Sequence, residues 1–87
     1  MPRISGFYGI VIFMYWNESH HLAPHFYAHH AGQRASVSVD GAVLAGAVEP
    51  RALTLVREWA RLHRDELLTN WERARRSESL IPIAPLP

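Results

Sequence analysis

The chain has 87 residues, 48% of them hydrophobic and 20% charged, with no cysteine and a formal charge of +1. That is one globular domain, cytoplasmic by default, too small to bury more than about two-thirds of its unfolded surface. Disulfides, thiol chemistry and cysteine-based zinc sites are excluded, the composition is not that of a disordered chain, and the small net charge argues against a strong field for polyanions.

The first apolar run is Phe7 to Trp16, aromatic and β-branched. It reads as one strand buried on both faces. A protein this small cannot easily cover both faces from within, so one face is expected to meet another subunit. No membrane contact is expected, because Gly9 to Trp16 is far short of the roughly 20 residues a span needs. Asn17 to Pro24 is a polar connection.

Residues 25–30 alternate polar and apolar and read as a half-buried strand. Residues 31–33 form a turn. In the next strand Ala35, Val37 and Val39 point to the core, while Arg34, Ser36 and Ser38 point out. Asp40-Gly41 is a hairpin signal, and Asp40 is read as a turn residue. Ala42 to Ala47 is a short last strand weakened by Gly46.

Glu49-Pro50 opens a helix, with proline suited to the first helical position. From Ala52 to Arg76 there is no glycine or proline. Leu53, Val56, Ala60, His63, Leu67, Trp71 and Ala74 form one stripe, widened by Leu55, Trp59 and Leu62. A single helix over 50–76 would be about 40 Å long, too long for a domain with a radius of gyration near about 12 Å. A break near His63 to Asp65 is therefore expected. The alternative is one long helix overhanging the sheet into a partner. Residues 77–87 hold three prolines and read as an extended tail, with Ile81, Ile83 and Leu86 free to dock.

The layout is thus α+β in one domain: an antiparallel β-meander of three to four strands over 1–48, one or two amphipathic helices packed on the sheet over 49–76, and a proline-rich tail.

Three residue groups are candidates for function. Five of the six histidines lie between 20 and 30. His25, Tyr27 and His29 share a strand face, and His25 and His29 with His20 or His21 could hold zinc or nickel. The plainer reading is a solvated polar face, because no second cluster completes a metal site. No cofactor is therefore assigned. His25 could act as general acid or base in RNA cleavage, with Arg34 as the cation for the phosphate and Tyr27 donating a hydrogen bond or stacking on a base. Against it stands an ordinary exposed strand.

The helical segment carries seven arginines against four carboxylates. Arg57, Arg61 and Arg64 fall on one side, as a phosphate-contacting stripe would. Read structurally, it is a solvated face with Arg61–Asp65 and Glu72–Arg76 pairs. Trp59 and Trp71 read as core, His63 as a satisfied interfacial histidine, and Trp16 as exposed at an interface. No phosphate-binding glycine loop, dinucleotide fingerprint, nucleophile elbow or His-Glu-x-x-His helix occurs.

Several segments together resemble a known family. They are residues 1–10, the stretch His20-His21-Leu22-Ala23-Pro24-His25-Phe26, the helical elements Glu58-Trp59, Leu62-His63-Arg64, Glu66-Leu67-Leu68 and Asn70-Trp71-Glu72-Arg73-Ala74, and the ending Ile83-Ala84-Pro85-Leu86. The pattern resembles the small bacterial proteins grouped as domain of unknown function 4160. The family reads Pro-His-Phe-His where this chain has Tyr27, so a His-x-His metal pair is lost. The resemblance implies a bacterial cytoplasmic protein that pairs with a second small protein encoded nearby, as toxin–antitoxin modules do.

Three functions compete on these grounds. The first is a partner-binding component of a toxin–antitoxin-like two-gene module, with a homo-dimer possible. The second is a metal-independent ribonuclease or RNA-binding toxin. The third is a metal-binding protein using the histidine-rich strand.

Overall fold

The computed structural model describes residues 2–16 and 23–87. Most of the connection expected at 17–24, with His20 and His21, lies outside the described residues. Five strands form one antiparallel sheet in sequence order: β1 Arg3–Phe7, β2 Ile10–Phe13, β3 His25–His30, β4 Gln33–Ser38 and β5 Val43–Ala47. Two helices follow, α1 Pro50–Leu62 and α2 Arg64–Arg75. Among the described residues, no helix is long and apolar enough to cross a membrane.

The count of three to four strands needs correction to five. The run expected as one strand over 7–16 is a hairpin. Tyr8 and Gly9 both take left-handed backbone, with φ of 48° and 76°. Two consecutive positive φ values twist the chain back on itself in register with a right-handed strand pair. Phe7 then faces Ile10, and Gly6 faces Val11. β2 is buried on one side only: Ile10 and Ile12 are core, Val11 and Phe13 are half-exposed. The expected burial on both faces is thereby withdrawn.

The β4–β5 connection uses Asp40-Gly41 as read. Ser38 and Ala42 pair across it, Gly41 N–H donates to Ser38 O at 2.8 Å, and Gly41 has φ +98°. The β4–β5 register shifts between Ser36 and Val37, leaving Leu44 as the extra residue of β5. Gly46, paired with Ala35 beside that shift, has φ +73°, and a Cβ on it would fall onto the carbonyl oxygen of Arg34. Gly46→Ala is therefore expected to cost about 1–3 kcal/mol, read as a lower urea midpoint. An unchanged midpoint would contradict the left-handed backbone and close approach at Gly46.

The helices break at His63, whose φ of −114° and ψ of 28° leave the helical region. His63 Nδ1 lies 2.6 Å from Glu66 Oε1, and its ring meets Trp59. The chain thus fits a body of 33 × 25 × 21 Å with a radius of gyration of 11.7 Å.

α1 packs on one sheet face, where Trp59 meets Phe7 and Phe26 with ring centroids 5.4 and 5.6 Å apart. Val56, Trp59, Ala60, Leu67 and Ala74 join Ile4, Ile12, Phe26, Ala28, Ala35 and Val37 in one core. Leu62, expected on the apolar stripe, is 57% exposed.

Residues 78–87 have neither helix nor strand, and they dock on the body through two of the three expected side chains. Ile83 and Leu86 are buried in the core, while Ile81 stays exposed. Trp16 is exposed, as expected, and donates from Nε1 to Glu78 O at 2.8 Å. Of the two expected i,i+4 ion pairs, neither forms among the described residues. Glu72 pairs with Arg75 at 3.0 Å, and Arg64 reaches Asp40 at 3.1 Å.

Candidate nucleic-acid interface

The sheet face turned away from α1 is built by pleat alternation. Cross-strand pairing sets Val11 beside His29, Phe13 beside Tyr27, Tyr27 beside Ser36 and His29 beside Arg34. Residues paired directly across an antiparallel ladder share a face. Phe13, Tyr15, Tyr27, His29 and Ser36 are all half-exposed, and Arg34 is exposed.

Their rings are in contact. Phe13 and His29 have centroids 4.7 Å apart at 53°, and Tyr15 and Tyr27 meet edge to face at 4.8 Å. Such pairs hold one another in place while leaving part of each ring open. Arg3 closes one flank of this face. Its guanidinium folds back over Gly6, where a side chain on the glycine would collide with it. Arg34 stands on the opposite side, on β4. No strand carries an aspartate or glutamate. The described carboxylates sit on turns, helices and tail, so among the described residues the strands of this face carry cations without opposing charge.

Of the residues singled out from sequence, Tyr27 and Arg34 stand together on this face. His25 does not join them in the open. The pleat gives it the same parity, but it is 2% exposed. Trp71 of α2 lies against it at 5.0 Å and Tyr27 at 5.6 Å. Its Nδ1 donates to Ala23 O at 2.9 Å. A proton acceptor for a 2′-hydroxyl must reach its substrate, and this imidazole is instead a packed link between sheet and helix.

The arginine stripe is also partly engaged. Arg57 Nε donates to Gly41 O at 2.8 Å, and Arg64 Nε donates to Asp40 Oδ1 at 3.2 Å. Two of the three arginines thus clasp the β4–β5 turn, Arg57 against α1 and Arg64 against the start of α2. With Arg61 they line a groove of about 510 Å³ that also contains Asp40 and Glu58. Its carboxylates offset most of its positive charge.

The metal reading gains no ligand set. Among the described residues, no three histidine or carboxylate side chains are placed to hold an ion.

Sequence reasoning placed Tyr27 and His29 on one face but missed Arg3 and Phe13 as members of the same surface. The available signal was Tyr8-Gly9. Once that pair is a turn, Val11, Phe13 and Tyr15 alternate outward.

No curated protein and no solved structure matches the chain. The sequence profile described as Domain of unknown function (DUF4160) matches residues 9–72, from the β1–β2 turn through most of α2. That stretch contains β2 to β5 and the whole of α1, so it covers most of the open face as well as the core. The chain therefore belongs to the DUF4160 family.

Proposed function

We propose that the chain binds single-stranded RNA on the open face of its sheet. The observation that supports this most is the face itself: Phe13, Tyr27 and His29 lie between Arg3 and Arg34, with no acidic residue on any strand. Half-open rings give bases a stacking platform, and the flanking guanidiniums take the phosphates. Binding rather than cleavage is the part of the RNA reading this supports, because His25 is buried. His29 is the imidazole of β3 that shares the open surface with Arg34.

Fluorescence anisotropy with a labelled unstructured RNA tests it. Two phosphate contacts on a single strand predict that log K falls with log salt at a slope of about −1.4. Duplex RNA of the same sequence should bind more weakly, because paired bases cannot stack on the sheet. Equal binding of duplex and single strand would contradict the proposal.

A second reading, as a partner-binding component of a two-gene module, rests on the other sheet edge. β5 ends the sheet, all five of its residues are exposed, and none is charged. An added strand from a small partner protein would pair there. Co-expression with the neighbouring gene product, followed by hydrogen exchange, should protect amides 43–47. A co-purified complex without that protection would place the partner elsewhere.

A further inference from the structure

Residues 78–87 are held the way a groove holds a peptide ligand. Asn70 of α2, 1% exposed, grips Ile81 with both ends of its amide. Nδ2 donates to Ile81 O and Oδ1 accepts from Ile81 N–H, each at 2.8 Å. Trp59 Nε1 donates to Ala84 O at 2.9 Å, and Arg73 Nε donates to Ser79 O at 2.5 Å. On the β1 edge, Ile83 N–H donates to Ile4 O at 2.7 Å. All of these bonds end on tail backbone, so the groove recognises an extended chain. Ile83 and Leu86 add the buried anchors.

The segment leaves α2 through one tight turn. Glu78 N–H donates to Arg73 O at 2.9 Å and Ser77 N–H donates to Ala74 O at 3.2 Å. Ser77 sits at its centre with φ +57°. That left-handed conformation is costly for a residue with a side chain and free of penalty for glycine.

We propose that the tail exchanges between copies: residues 78–87 of one chain fill the groove of a second, and the reverse. The second copy's segment is identical, so every groove bond is reproduced without new chemistry. A vacated groove would leave the Asn70 amide buried without partners and uncover the β1 edge, so it is refilled rather than left open. Closed and exchanged forms then differ chiefly at the hinge, where opening relieves the left-handed serine. Short hinges under strain are the setting in which elements swap. The inference goes beyond RNA binding and does not depend on it.

Ser77→Pro and Ser77→Gly pull the hinge in opposite directions. Proline cannot adopt φ +57° and has no N–H for Ala74 O. Light scattering after size exclusion should give Ser77→Pro twice the 9.9 kDa mass of one chain. Wild-type protein refolded at millimolar concentration should contain a dimer that survives dilution. Ser77→Gly should lower the dimerisation constant about 25-fold, since about 1 kcal/mol at each of two hinges is a factor of about five twice over. A folded, monomeric Ser77→Pro would overturn the proposal. If Ser77→Pro does not fold, the wild-type and Ser77→Gly comparison decides: no wild-type dimer, or a dimer unchanged by glycine, overturns it equally.

Discussion

Trp59→Ala is expected to destabilise the domain by about 3–5 kcal/mol, the range for emptying a fully buried tryptophan site. A chain of this length has only about 4–13 kcal/mol in total. Trp59 is 0% exposed and touches three elements at once. Its ring packs on Phe7 of β1 and Phe26 of β3, and its Nε1 holds Ala84 of the tail. Alanine removes the contacts that join sheet, helix and tail, and it leaves the Ala84 carbonyl without its donor. Urea titration followed by far-ultraviolet circular dichroism should show a much lower midpoint or no folded baseline. Trp59→Phe keeps most of the ring and loses the hydrogen bond, so it should fall between the two. A wild-type midpoint for Trp59→Ala would refute the account of the core.

Tyr27→Ala is expected to weaken single-stranded RNA binding by roughly 5- to 150-fold, because stacking one base on an aromatic ring is worth about 1–3 kcal/mol. Arg34→Ala should act differently. It removes one phosphate contact, so the salt slope should fall by about 0.7. Arg61→Ala is the comparison on the helical side. Arg61 is exposed and lies in the groove with Asp40 and Glu58, and its removal should leave both affinity and slope unchanged. Circular dichroism of each variant separates lost binding from lost folding. If Arg61→Ala weakened binding as much as Arg34→Ala, the helical stripe and not the sheet would carry the RNA.

The sequence conveyed some of this arrangement plainly. The alternation of residues 34–39 places Ala35, Val37 and Val39 in the core, and all three are buried. The helix break at His63 follows from size: an unbroken helix of about 40 Å exceeds the longest dimension of the body, 33 Å. What stayed hidden depends on non-local contacts or on a turn inside an apolar run. Phe7 and Ile10 both face the core, so the run stays hydrophobic straight through the Tyr8-Gly9 turn. His25 has the parity of Tyr27, and its burial depends on Trp71, brought in by α2. The tail reads as extended from its prolines. Its docking depends on Asn70, Trp59 and Arg73 bonding to its backbone, and backbone groups leave no trace in composition. Arg57 and Arg64 show the helical spacing of a phosphate stripe, yet they reach a turn far away in sequence.

The candidate surface was legible by halves. Tyr27 and Arg34 lie on adjacent strands joined by a short turn, so local pairing brings them together. Arg3 and Phe13 join through the β1–β2 hairpin and the β2–β3 pairing, whose connection is longer.

The central claim is that RNA lies on the sheet, and amide chemical-shift mapping by nuclear magnetic resonance tests it most directly. On titration with an unstructured single-stranded RNA, the account predicts the largest shifts at Phe13, Tyr27, His29, Arg34 and Ser36, with α1 unmoved. No shifts at saturating RNA, or shifts confined to Arg57, Arg61 and Arg64, would contradict it.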